Sequence, residues 1–312
     1  MFQLVPGLPE IRPPSLILYV QLASPEKKTF QSFAHLSQDT LVIPNLIQNT
    51  FEITKIVIEN DDTPHLVLLC VLHLPPLIEN TSLFSIWCRA EPNPTCSGRL
   101  VIPSQSDRPF HDKAEDAIVV FNMSYYDRSL GGQTDWLTLI VHRRALLTHI
   151  SAAHRACAPF CSTPEPTPAV VEVPWSVWGS PATRLFVGNR MAAPFYKETT
   201  AGQRAVMLED RMLTPIILRD FNPYAVRAAR ALASASGQSQ QGNWSKQLPN
   251  GNRMSLKVED SVLTAGAIFQ EDVWSSLPYV EIVTGGEYQY NFVMMDDERI
   301  LGFQVRFESL CR

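Results

Sequence analysis

Hydrophobic and polar residues along this chain fall mainly into short extended runs. The segment 51–59 opens with alternation, Phe51 and Ile53 against Glu52 and Thr54, and continues into Ile56, Val57 and Ile58. Alternation with many β-branched residues predicts a strand. Residues 65–72 are nearly continuous in apolar side chains, the pattern of a strand covered on both faces. Similar runs occur at 16–20, 40–46, 83–89, 117–126, 136–141, 170–173, 183–187, 204–208, 215–219, 255–258, 280–283, 288–295 and 300–307. Clusters of Pro, Asn and Asp separate several of them, as at 60–64, 91–94 and 106–109, where turns belong.

Two segments predict helices instead. Residues 142–156 are rich in Ala, Leu and Arg, which favour helix. Residues 223–234 begin with Pro223 in the first turn and have Asn222 placed to cap it. Residues 1–15 are proline-rich and are expected to be disordered or extended. From 16 to 312 the pattern predicts a single β-rich region. It is interrupted by a Pro-rich loop near 158–168 and a flexible polar loop near 236–252. No repeat of fixed period is visible. The expected fold is mainly all-β: an incomplete, degenerate propeller-like arrangement of about three to five small antiparallel sheets, with one or two short helices.

Composition narrows the function classes. Hydrophobic residues make up 45% and charged residues 18%, which excludes a disordered chain or a coiled coil. The 24 prolines outnumber the 14 glycines, which also favours short extended segments over long helices. With 26 basic and 31 acidic residues the net charge is −5, so no overall basic field exists to hold nucleic acid. The longest apolar stretch, 65–76, is too short and too broken by His and Pro to span a bilayer. The N-terminus has no basic start of the signal-peptide kind, and six cysteines are too sparse for a disulfide scaffold. These features predict an intracellular protein, cytoplasmic or nuclear, with neither nucleic acid nor membrane as partner.

Candidate chemistry is thin. His149, His154, Cys157 and Cys161 are all zinc-ligand types, but their spacing matches no standard pair of zinc knuckles. They read as surface histidines and linker cysteines, and no metal is expected. Ser239 lacks the second glycine of a nucleophile elbow, and Cys311 lies one residue from the end. Phosphate-binding and dinucleotide-binding fingerprints are absent, so no cofactor and no catalytic residue is assigned. The acidic trio 296–298 lies between two strand-like runs, where a polar hairpin turn belongs. The aromatics are more informative. Trp175 and Trp178 stand three apart before a Gly-x-Pro turn, and Asp220 and Asn222 flank Phe221 with side chains suited to Asx-turns. Residues 275–279 repeat the theme of polar caps, proline and an aromatic, here Tyr279. These positions read as structural corners or an interaction surface, and at least one of the two tryptophans should be buried.

The same segments carry a resemblance. Cys88-Arg-Ala-Glu-Pro-Asn-Pro94 is followed by Glu115-Asp-Ala-Ile-Val119 and His142-Arg-Arg-Ala-Leu-Leu147. Then come Val173-Pro-Trp-Ser-Val-Trp-Gly179, Thr183-Arg184, Gly202-Gln-Arg204 and Asp220-Phe-Asn-Pro-Tyr224. Ser276-Leu-Pro-Tyr-Val-Glu281 and Met295-Asp-Asp-Glu-Arg-Ile-Leu-Gly302 close the series. In this order the pieces resemble the C-terminal β-rich, propeller-like region of fungal F-box domain proteins, over residues 30–312. The resemblance implies the substrate-recognition region of a receptor for an SCF ubiquitin ligase. It also singles out Trp175, Trp178, Arg184, Asp220, Phe221, Asn222 and Tyr279 as interaction or corner residues. The F-box itself is a helical module that docks on the ligase adaptor. Here Leu8-Pro-Glu10 is followed by Ile11-Arg-Pro-Pro14, where interior prolines cost a helix about 3 kcal/mol each. The expectation is a truncated member that lacks docking to the adaptor subunit and acts through an unidentified protein partner or substrate. Two other readings stand beside it: a propeller-type carbohydrate-active enzyme with paired carboxylates, and a decayed sequence without a function of its own.

Overall fold

The computed structural model describes residues 32–58, 64–92, 94, 114–128, 133–157, 170–188, 199–208, 214–237, 243–296 and 299–304. The chain first builds an antiparallel meander of β1 (Ala34–His35), β2 (Thr40–Asn45), β3 (Thr50–Ile58) and β4 (Pro64–His73). Asn49 takes a left-handed φ of 54° in the β2–β3 turn, and its side-chain amide donates to the Pro75 carbonyl at 2.8 Å. Asn is among the few side chains that tolerate this conformation. The chain then crosses into a second sheet with β5 (Thr81–Arg89), β6 (Ile118–Asp127) and β7 (Gln133–His142). Helix α1 (Arg143–Cys157) follows, and β8 (Val171–Val173) returns to the first sheet, parallel to β4. Helix α2 (Trp175–Ala182) leads into β9 (Thr183–Val187), which pairs with β7.

The third sheet begins with β10 (Thr199–Ala201), β11 (Arg204–Leu208) and β12 (Ile216–Asp220). Helix α3 (Pro223–Ala235) covers it, burying Val226, Ala229 and Ala233 against Trp244, Leu256 and Val280. The i, i+3, i+7 spacing of those residues puts them on one helical face. The Asn222 carboxamide oxygen accepts from the Tyr224 N–H at 2.9 Å and caps this helix, as expected. Next come β13 (Asn243–Gln247), β14 (Arg253–Lys257) and a ribbon of β15 (Ser261–Leu263) with β16 (Val273–Ser275). β17 (Tyr279–Val283) inserts between β12 and β14, and a second ribbon, β18 (Phe292–Met295) with β19 (Ile300–Phe303), ends the described chain.

The second sheet is the middle layer. Val119, Phe121, Met123 and Tyr125 of β6 face the core shared with the first sheet, while Ile118 and Val120 face a smaller cluster shared with the third. Alternate residues of a strand point to opposite faces, so β6 is covered on both sides. That overturns one expectation. The strand read as doubly covered, β4, is fully buried only at Cys70–Leu72 and half-buried before that. β6 hid its two-sided burial because Asn122 and Ser124 interrupt its apolar run. Both are paired across the sheet: Thr138 Oγ1 donates to Asn122 Oδ1 at 3.0 Å, and the hydroxyls of Ser85 and Ser124 lie 2.5 Å apart. Pairing removes most of the cost of burying such groups.

The architecture is mostly β, in small antiparallel sheets stacked face to face, and among the described residues none closes into a barrel. Three corrections apply. The described residues contain three helices rather than one or two. Trp175-Ser-Val-Trp-Gly-Ser-Pro-Ala182 forms α2, not a Gly-x-Pro turn. Gly179 is needed there because a Cβ would overlap the Trp175 ring. The polar segment 236–252 is no uniform flexible loop, because Asn243–Gln247 pairs with β14 throughout its length. Trp244 packs under α3 and anchors that strand. The expected features at 1–15 and 158–168 lie outside the described residues. No helix among the described residues is long and apolar enough to cross a membrane.

Candidate functional site

Three strands bring arginines and aromatics together between the second and third sheets. β9 supplies Arg184 and Phe186, β12 supplies Arg219 with Phe221 just beyond it, and β17 supplies Tyr279 and Glu281. Each pair is spaced i, i+2, which puts both members on one face of a strand. The Arg219 guanidinium lies 3.8 Å from the Phe186 ring centroid, and its Nε donates to Glu281 Oε2 at 3.2 Å. Glu281 also meets Lys257 Nζ at 4.0 Å. Arg184 sits 5.2 Å from the Tyr279 ring centroid, and its Nη1 donates to the Glu259 carbonyl at 2.7 Å. Tyr279 is ringed by Phe186 at 5.5 Å and Phe221 at 5.3 Å. Burial lowers the proton affinity of Arg184 and pushes the Tyr279 phenol up, which keeps the phenol protonated at neutral pH. Stacked and paired in this way, the cations act as a staple between two sheets.

Of the residues singled out from sequence, Arg184, Phe221 and Tyr279 belong to this cluster. Asp220 and Asn222 instead hold the turn into α3: Asp220 Oδ1 accepts from the Asn222 N–H at 2.8 Å. Trp175 and Trp178 lie elsewhere, against the first sheet. Trp178 is buried, donates from Nε1 to the His73 carbonyl at 2.8 Å, and meets the Phe51 ring edge-on. Trp175 is half-buried beside it, with ring centroids 5.1 Å apart. Phe186, Arg219 and Glu281 were missed. The available signal was their position two residues from Arg184, Phe221 and Tyr279 on strand-like runs.

A second arginine organises another corner. Arg143 is fully buried at the start of α1 and donates to the carbonyls of Ala90, Pro92 and Ala114. Burial pushes its pKa down to about 10, still well above neutrality. The Gly202 N–H donates to the Glu91 carbonyl at 3.0 Å and ties the same corner to the third sheet. Segments 88–94, 115–119, 142–147 and 202–204, far apart in sequence, therefore meet here.

Beside this corner lies a half-open cleft of about 570 Å³, a size that suits a small organic molecule. Phe33, His35, Cys88, Glu91, Thr200 and Met295 are among its lining residues. Burial pushes the Cys88 thiol up to about 12, which keeps it protonated and unreactive. Burial also lowers the His35 pKa, so its imidazole is neutral at pH 7. Asp296 is not among the described lining residues of the cleft. Asp296 accepts from the Arg299 backbone and side chain within the β18–β19 hairpin, at 2.6 to 3.2 Å. That is the turn role expected of Asp296; 297–298 lie outside the described residues. Of the weighed zinc-ligand types, His149 lies on α1, and Cys161 lies outside the described residues, as do Ser239 and Cys311. No family model matches this chain, and no curated protein or solved structure matches it either.

Proposed function

We propose that this chain is a non-catalytic protein-interaction module of the kind that selects substrates in F-box receptors of ubiquitin ligases. The observation that carries the reading is the β18–β19 ribbon. All four residues of β19 are exposed, and Ile300, Leu301 and Phe303 among them are apolar. Among the described residues, β19 pairs on one side only, with β18. An exposed apolar strand edge is a template for adding an extended segment of a partner protein, with backbone hydrogen bonds giving affinity and side chains giving choice. Val293 of β18 is fully buried against Val206, Leu208 and Ile216, which anchors the ribbon to the third sheet.

The chemistry of the cleft supports a non-catalytic reading over a glycosidase. Paired-carboxylate hydrolysis needs two carboxyl groups about 5–10 Å apart in one pocket, and among the described lining residues Glu91 is the one carboxylate. The test is a photo-crosslinking residue at Phe303 in the full chain, followed by purification of the captured protein. A true partner rebinds the purified chain and loses about tenfold or more in affinity with Leu301→Lys, which puts a charge on the pairing edge. Diffuse capture, or rebinding indifferent to Leu301→Lys, rejects the ribbon as the binding edge. Docking on the ligase adaptor is not part of this proposal. Stoichiometric co-purification of the adaptor with this chain would restore the complete receptor role.

A further inference from the structure

Each described strand that lines the cleft stands at the end of its sheet. The lining comes from β1, the end of β5, β10 and β18. Among the described residues, β1 pairs only with β2, β5 only with β6, β10 only with β11 and β18 only with β19. The lining also runs through consecutive residues: Phe33 to His35, Cys88 to Glu91, and Met294 with Met295. Neighbouring side chains of a strand point to opposite faces, so the cleft meets these strands edge-on. Edges of three sheets and a ribbon thus converge on one opening. A free edge is a template for further pairing, and proteins cover such edges rather than leave them open.

We propose that residues 16–20 of the same chain, Leu-Ile-Leu-Tyr-Val, fill the cleft as an added strand on the free edge of β1. These residues lie outside the described ones, and connection, reach and chemistry each name them as the occupant. The first sheet is a meander in which β1, β2, β3 and β4 pair in chain order, each antiparallel to the next. Strands consecutive in sequence are neighbours roughly two-thirds of the time, and 16–20 is the strand-like run immediately before β1. The intervening residues 21–32 span up to about 40 Å when extended, and Pro25 among them suits a turn. They end at the cleft itself, where the Ser32 hydroxyl accepts from the Cys88 N–H at 2.7 Å. A tether this short gives an effective concentration on the order of millimolar. The run is apolar on both faces, as a strand enclosed on two sides requires. Phe33, Ala90, Met294 and Met295 offer it apolar walls. The inference does not depend on strand addition at β19.

The test uses the full chain with a photo-reactive diazirine analogue of methionine at position 294, as an equal mixture of isotope-labelled and unlabelled copies. Met294 is 46% exposed, so the analogue leaves the core undisturbed. Irradiation should join position 294 to residues 16–20 within one copy, read by mass spectrometry of the digested chain. Leu18→Pro removes a backbone donor from the middle of the added strand and should abolish that crosslink. Leu18→Val keeps strand propensity and should keep it. Amide hydrogen exchange gives a second reading. Phe33–His35 should exchange at least about tenfold faster in Leu18→Pro than in the parent, because a pairing edge is released. Exchange across β6 should stay unchanged, which shows that the variant remains folded. Should β6 lose protection too, the crosslink in the parent chain decides alone. The proposal is overturned by crosslinks that miss 16–20, or by exchange at Phe33–His35 indifferent to Leu18→Pro in a folded chain. Crosslinks that join two copies overturn it as well, by making a second copy the occupant.

Discussion

The two faces of the middle sheet are held by different physics. Toward the first sheet, Phe51 stacks on Phe121 at 4.2 Å, Trp178 closes over Phe51, and Leu72, Leu139 and Val141 fill the space around them. That side is an apolar core in which burial and close packing supply the stability. Toward the third sheet the buried apolar cluster is small, and much of the contact runs through Arg184 and Arg219 laid against aromatic rings, with Glu281 paired to Arg219. An apolar core fails by losing volume. A charge-bearing interface fails when one partner is removed and the other is left buried alone. The same sheet should therefore answer quite differently to substitutions on its two faces.

The largest effect is expected on the apolar side. Trp178→Ala leaves a cavity beside Phe51 and orphans the His73 carbonyl, costing about 3–5 kcal/mol. Against a typical total of about 5–15 kcal/mol, that is a large share, and urea denaturation should show the midpoint falling by a large fraction of its parent value. An unchanged midpoint would mean that the first core does not depend on this side chain.

On the charged side, Arg219→Ala strands Glu281 with only the distant Lys257 and should cost about 3 kcal/mol. The double change Arg219→Met with Glu281→Leu removes both charges at similar volume and should lose much less. Denaturation of the single and double variants checks this. If the double variant loses as much as the single, packing rather than charge pairing holds this interface, and the contrast between the two faces collapses.

A smaller effect tests the turn leading into the third sheet's helix. Asn222→Ala removes the cap of α3 and should cost about 1 kcal/mol, read as a shift in urea midpoint with an unchanged slope. A loss as large as that of Trp178→Ala would show that the turn around Phe221 governs the whole interface.

The last effect is a pH slope. His142, at the end of β7, has its pKa lowered from the ordinary 6.5, first by burial. The unfolded chain therefore takes up a proton there before the folded chain does. Stability is fully present above the ordinary histidine range and falls as pH drops through 6.5 toward the folded value. His35 behaves in the same direction for the same reason. Urea midpoints at pH 7.5 and 5.5 should differ less for His142→Asn than for the parent chain. An equal difference would remove His142 from the account.

Much of this architecture was legible as local pattern. The runs at 183–187 and 204–208 are strands with those bounds, 51–59 differs from its strand by one residue at each end, and Asn222 caps the helix it was placed to cap. Alternation, β-branching and cap residues are properties of neighbouring positions, so the sequence by itself determined a mostly β chain. Other features depend on what packs against them. The helix at Trp175–Ala182 forms around a buried Trp178 despite Pro181, and Asn243–Gln247 is a strand because Trp244 finds a place beneath α3. The burial of β6 on both faces, the meeting of Arg184, Arg219 and Tyr279, and the cleft beside Thr200 and His35 were decided only by the tertiary structure. Each joins residues from strands far apart in the chain. A strand's pattern states which side chains share a face, but which sheet covers that face is fixed only when the sheets stack.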